Sequence, residues 1–262
     1  MPINDLKAHF AAGGTAANGW CPIPSPVTAE IMGRAGFDLV TTALHHGLID
    51  YQTALNMLQV LQGLPAPVMV RVPWNEPGII MKCLDAGFSG LICPMINTAE
   101  DARRLVQSAR YAPMGRRSFG PTRANLVHGA GYAKGANDSV LVLAMIETRE
   151  ALQNLDAILA VEGVDGVYVG PSDLGLSLGH EPTLEPTAPE VLSAITEIGT
   201  RARAGQWDSL AALALVHVAL CHVPDDAFRP AESDPRISLV LAAMDANLQR
   251  PLSNAELAAL AG

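Results

Sequence analysis

V-L-V-L-A-M-I-E-T-R-E-A at residues 140–151 and G-V-D-G-V-Y-V-G-P-S-D-L at residues 163–174 decide how this chain reads. Each runs an apolar, β-like segment into a carboxylate, Glu147 in the first and Asp173 in the second, with helix signals on either side. The same rhythm recurs outward from them. Strand-like runs fall at 16–20, 38–43, 67–72, 89–93, 140–146 and 165–170. Amphipathic segments fall at 26–35, 51–62, 76–86, 98–110, 148–161 and 188–204. Strands alternating with helices predict a parallel sheet, and this many units favours closure. The expected fold is α/β, a single (β/α)8 TIM barrel over residues 1–262, whose strand ends open onto one mouth. Thr98 with Asp101 three residues on predicts a capping box. Gly36, Gly87 and Gly163 follow helical segments, as C-cap glycines do.

Two regions break the rhythm. Residues 111–139 hold no convincing strand and are rich in Gly, Arg and Asn, which predicts a long loop at the barrel mouth, a lid or subunit contact. There Arg116, Arg117 and Arg123 stand as candidates for a distal carboxylate, with solvent or interface roles equally open. The last quarter is atypical. Residues 210–223 suit a seventh strand or a buried helix, 224–236 a loop, 237–242 an eighth strand and 251–262 a closing helix.

The chain has 262 residues, 49% hydrophobic and 16% charged, enough for a large core and too apolar for disorder. Its net charge of −9, with no basic run, excludes nucleic acid as an expected partner. No uninterrupted apolar stretch is long enough to predict a membrane span. The opening M-P-I-N-D-L-K-A-H-F lacks a secretory pattern, so a cytoplasmic location is expected. Cys21, Cys83, Cys93 and Cys221 form no C-x-x-C pair and read as buried apolar residues.

Four predicted strands carry a polar residue where apolar packing stops: His46, Arg71, Glu147 and Asp173. Two carboxylates make half a shell for a hard cation such as Mg²⁺ or Mn²⁺. An arginine fork suits a carboxylate or enolate oxygen, and a histidine near neutrality moves protons. Each also has a structural reading: Glu147 as a helix-dipole partner, Asp173 as a turn cap, Arg71 paired with Glu76 or Asp85, His46 as a satisfied loop residue. Trp20 ends the first strand as core or as mouth lining. His217, Cys221 and His222 have zinc-ligand side chains, but strand alternation splits them across two faces.

G-F-D-L-V-T-T-A-L-H-H-G (36–47), V-R-V-P-W-N-E-P (70–77), G-R-R-S-F-G-P-T-R-A (115–124), M-I-E-T-R-E-A (145–151) and residues 163–174 together resemble the HpcH/HpaI family of metal-dependent hydroxy-keto-acid aldolases. The resemblance runs from about Trp20 to Ala204. It implies a phosphoenolpyruvate/pyruvate-type barrel that cleaves or forms 4-hydroxy-2-oxo acids, giving pyruvate and an aldehyde through an enolate held by a divalent cation (Mg²⁺, Mn²⁺ or Co²⁺). By the same resemblance Glu147 and Asp173 are the metal ligands and Arg71 steadies the enolate. His46 is the acid/base group supported by Asp85, and Gly170, Pro171 and Ser172 shape the pyruvate pocket with backbone N–H groups for its carboxylate.

The family implies a hexamer, a trimer of dimers, with C-terminal helices exchanged between neighbours. Oxaloacetate decarboxylation, CoA-ester cleavage or a non-catalytic barrel are the alternatives. Ala43 and His45 stand where the family usually has an acid and a Gln or Glu, and Met145 replaces a polar residue found in some members. After Gln206 the family's G-I-H-C strand is absent. No lysine lies at a predicted strand end, which favours the metal route over imine chemistry.

Overall fold

A computed structural model describes Lys7, Phe10 and residues 16–204. Six strands, β1 (Asn18–Cys21), β2 (Leu39–Ala43), β3 (Val68–Arg71), β4 (Gly90–Cys93), β5 (Leu141–Ile146) and β6 (Gly166–Val169), pair in sequence order. Every pairing is parallel. The sheet curls into a half-barrel of the expected α/β kind. The predicted seventh and eighth strands, the closing helix and the His217, Cys221 and His222 group lie outside the described residues.

Helices α1 (Pro26–Arg34), α2 (Tyr51–Leu61), α3 (Pro77–Ala86) and α4 (Ala99–Ala109) follow the first four strands. Each starts at the strand-end side with a side-chain cap that occupies otherwise orphaned amides. Ser25 accepts from Thr28 N, Asp50 from Thr53 N, and Glu76 from Gly78 N and Ile79 N. Thr98 and Asp101 form the capping box expected from the sequence. Gly36, Gly87 and Gly163 have φ values of 89°, 104° and 95°, the left-handed conformation expected where helices stop.

Residues 148–161 were expected as one helix, and form two: α7 (Arg149–Gln153) and α8 (Leu155–Leu159), separated at Asn154. Beyond β6 lie a short α9 (Pro171–Ser177) and a long α10 (Pro189–Ala204).

The interval 111–139 differs from expectation in content and position. It contains α5 (Thr122–His128) and α6 (Tyr132–Ser139). Because α4 carries the chain back to the strand-start side, the interval packs there and not at the mouth. Arg123 bonds the Ala86 carbonyl and Gln62, at the closing ends of α3 and α2. Arg117 pairs with Asp85 and lies over the Tyr111 ring at 4.5 Å. Arg116 donates its backbone N–H to the Gln107 carbonyl in α4. None of the three arginines is therefore placed to meet a substrate at this chain's mouth.

Alternation divides the strands between two cores. One side, including Val40, Val70, Leu91, Val142, Ala144 and Val167, packs against the helices. The other fills the lumen with Leu39, Met69, Ile92, Leu141, Leu143, Met145 and Tyr168. Phe10, 2% exposed, joins this cluster. The lumen is thus apolar below its mouth, which confines polar chemistry to the strand ends.

Arg110 fastens the strand-start side. Its side chain is 1% exposed and pairs with Asp165, and it donates to the carbonyls of Asn137, Val140 and Gly163. Asp165 also accepts from Lys7 Nζ at 3.0 Å and Val142 N at 2.7 Å. Arg110→Met would strand buried acceptors and should cost about 3 kcal/mol, the low end for breaking a buried pair because Lys7 still faces Asp165. Urea unfolding checks this; a loss under about 1 kcal/mol contradicts a fastening role for Arg110.

Candidate active site

Inward alternation along β5 continues from Leu143 through Met145 to Glu147, one residue beyond the strand. Glu147 is fully buried. Its Oε1 accepts from Met95 N at 2.7 Å, whereas its Oε2 is buried with no hydrogen-bond partner. Met95 has a φ of 54°, a strained conformation for a side-chain-bearing residue, held where it aims an amide at the carboxylate. Nothing in the residue type forecasts that backbone, and the sequence reading missed Met95.

Gly170 completes the setting. A Cβ there would lie 2.5 Å from Glu147 Oε2 and 2.6 Å from Met145 Cε, so only glycine leaves the carboxylate its space. The Gly170 N–H donates to the Ile146 carbonyl at 3.1 Å, and Pro171 has no N–H. The expected supply of substrate-binding amides from these two is therefore not found; Gly170 contributes room. Ser172 Oγ lies 3.5 Å from the Leu184 carbonyl oxygen.

Arg71 ends β3 and faces the same space, beside Ala43 in register. It is 7% exposed, its Nε is buried with no hydrogen-bond partner, and its guanidinium lies over the Trp20 ring at 4.8 Å. Trp20 in turn stacks on Tyr168 with centroids 5.9 Å apart. Burial lowers the Arg71 pKa, against the charges of Tyr168, Glu147 and Asp173. The ion-pair alternatives do not occur: Glu76 caps α3, and Asp85 pairs with Arg117 at 2.6 Å. Likewise Thr148, not Glu147, caps α7.

Asp173 lies in the first turn of α9, half-buried. It is near enough to act electrostatically on Glu147, Arg71 and His45. Burial above all, with the Asp173 charge, pushes the Glu147 carboxyl up to about 7, against the Met95 amide and Arg71. Two oxygen donors, one with an unpartnered buried oxygen, fit a hard divalent cation whose other positions go to water and substrate. Among the described residues no group of three or more His, Cys, Asp and Glu is arranged to hold a metal ion.

The histidines divide differently from expectation. His46 is exposed and stacks on His45 with centroids 3.8 Å apart. His45 is the inner ring, pushed down to about 4 by burial first and then by His46 and Arg71. Gly47 makes this tight loop possible, since a Cβ there would sit 1.9 Å from the Ala43 carbonyl oxygen. Asp85, expected to support His46, sits near the closing end of α3, on the strand-start side. Within one chain the two do not meet.

Residues 18–228 match the sequence profile of the family described as HpcH/HpaI aldolase/citrate lyase. The chain is 43% identical over 202 residues to a hydroxypyruvate/pyruvate aldolase of Rhizorhabdus wittichii, covering 77% of this chain and 80% of that one. It is 38% identical over 203 residues to a 5-keto-4-deoxy-D-glucarate aldolase of Shigella sonnei, covering 77% and 78%. A crystal structure of an HpcH/HpaI aldolase/citrate lyase family protein from Burkholderia cenocepacia matches with a TM-score of 0.71 at 29% identity, over 80% of this chain and 83% of that one.

The Glu147 environment has a consequence for the metal-free protein. Its folded pKa of about 7 exceeds the ordinary 4.5, so the native state holds the proton more tightly than the unfolded chain. Stability then falls as pH rises through that window, by a total of about 3 kcal/mol. Chelator-treated protein should unfold at lower urea at pH 8 than at pH 5, and Glu147→Gln should remove most of that difference. An identical difference in both proteins would show that Glu147 does not carry it.

Proposed function

Because the chain belongs to the HpcH/HpaI aldolase/citrate lyase family, we propose that it is a class II aldolase, joining pyruvate to an aldehyde as a 4-hydroxy-2-oxo acid and running the cleavage in reverse. The observation that carries this reading is the buried Glu147 carboxylate with one oxygen open, facing Asp173 and Arg71 across a gap that Gly170 leaves clear. Glu147 and Asp173 would hold a divalent cation, Mg²⁺, Mn²⁺ or Co²⁺, which supplies Lewis acidity and a template for a 2-oxo acid. In this reading the six strands belong to a closed (β/α)8 barrel and the chain forms a homo-oligomer.

The chain's own groups do the rest. In the synthetic direction a pyruvate methyl proton leaves and the new carbanion electrons move onto the keto oxygen. Arg71, fixed over Trp20, shares that negative charge from a preorganised position. C3 then attacks the aldehyde carbon, the C3–C4 bond forms, and the aldehyde oxygen takes a proton. In cleavage the same bond breaks as the C4 hydroxyl loses its proton. His46, exposed at the edge of the site, moves protons through water. Tyr168 and Met145 close the lumen beneath the reacting carbons and exclude water from below. Gly170, Pro171 and Ser172 wall the pyruvate pocket.

Exchange of pyruvate methyl protons with deuterium tests enolate formation without knowledge of the aldehyde. The wild-type protein with Mn²⁺ should exchange, and chelation should stop it. Arg71→Ala should slow exchange by two to three orders of magnitude, corresponding to about 3–4 kcal/mol of lost stabilisation. Exchange at near-wild-type rate in Arg71→Ala would remove Arg71 from the mechanism. No exchange with any of the three cations would defeat the aldolase reading.

A further inference from the structure

The loops after β2 and β3, residues 44–50 and 72–76, form one side of the mouth. His45 joins them. Its ring stacks on His46 and meets the Trp74 ring edge-on, with centroids 6.2 Å apart and planes at 64°. His45 Nδ1 is buried without a hydrogen-bond partner. Inward, His45 lies within electrostatic reach of Arg71 and Asp173. Outward, Trp74 is 55% exposed. A wall of imidazole and indole thus leads from the acidic pair to solvent.

The charges around that wall are one-sided. The segments that follow the six strands, 22–25, 44–50, 72–76, 94–98, 147–148 and 170–172, contain no lysine or arginine. Their charged residues are Asp50, Glu76 and Glu147, all acidic, and Asp173 adds another in α9. Asp50 and Glu76 are engaged as helix caps. Arg71 is buried over Trp20, on the pyruvate side. Arg149, at the start of α7, is exposed and donates from Nη2 to the Leu178 carbonyl at 2.8 Å. Burial keeps His45 itself uncharged at neutral pH. A carboxylate brought against this wall would lose water and find no lysine or arginine in those segments to pair with.

We infer that His45 and Trp74 line the aldehyde subsite, and that this subsite takes an uncharged aldehyde with an apolar tail in preference to one ending in a carboxylate. The inference rests on the aldolase reading above. His45 and Trp74 are specificity-determining residues here: the imidazole offers a short polar contact near the bond being made, and the indole covers the tail.

Butanal and 4-oxobutanoate test this, since both have four carbons and differ at the far end by a methyl against a carboxylate. Each is offered with pyruvate and Mn²⁺ to the full-length protein, with methyl-proton exchange measured alongside. The expected wild-type kcat/KM is at least tenfold higher for butanal. His45→Arg places a guanidinium in the wall and should shift the ratio at least tenfold toward 4-oxobutanoate. Trp74→Ala should raise KM for butanal more than KM for 4-oxobutanoate. Because each readout is a ratio within one protein, a general loss of activity does not imitate it. Intact exchange with equal use of the two aldehydes, or a preference for 4-oxobutanoate, overturns the inference alone. An unchanged ratio in both variants overturns the assignment of His45 and Trp74. Absence of exchange in the wild type overturns the aldolase reading and this inference with it.

Discussion

Burying a carboxylate without full compensation is costly, and the upper end of this half-barrel is arranged around one such group. Glu147 receives a single backbone donor, from a residue whose own backbone is held at positive φ, and its second oxygen is left open. Gly170 clears the space in front of it, while Asp173 adds negative charge instead of relieving it. Arg71 stands nearby with its guanidinium over the Trp20 ring, and no salt bridge joins it to Glu147. A structural carboxylate would be expected to satisfy both oxygens. One left unsatisfied beside a second acid has the character of a group waiting for a cation.

The rest of the scaffold serves that placement. Lumen side chains from Leu141 to Tyr168 pack beneath the site and give it an apolar floor. Helices α1 to α4 begin at the mouth with their amides already capped by side chains. Arg110 and Asp165 tie β5, β6 and the α4 terminus together at the far end, away from the chemistry. Ala43 puts a small apolar neighbour beside Arg71, and His45 puts a neutral ring in the loop that follows. Both keep the polarity of the wall on the β2 side low.

Much of this was legible in the chain. Strand and helix runs stood out because apolar period and capping residues agreed, and Thr98 with Asp101 formed the box their spacing predicts. The buried, inward placement of Arg71 and Glu147 follows from position alone, as polar residues at the ends of apolar runs that alternation turns inward. The interval 111–139 was misplaced because its length and composition suggested a mouth loop; counting α4 as a return path puts it at the opposite end. Asp85 failed as a partner for His46 for the same geometric reason, since it closes a helix that opens at the mouth. Met95 left no trace in the sequence, because its contribution is a backbone angle and an amide. The relation between the two histidines was likewise invisible: adjacent residues gave no sign of which ring turns inward.

The claim on which the rest hangs is that Glu147 and Asp173 share one divalent cation, and calorimetric titration of chelator-treated protein with Mn²⁺ measures it directly. The account predicts one site per chain in the wild-type protein, lost or weakened at least tenfold in both Glu147→Gln and Asp173→Asn. Wild-type affinity persisting in either variant would contradict it.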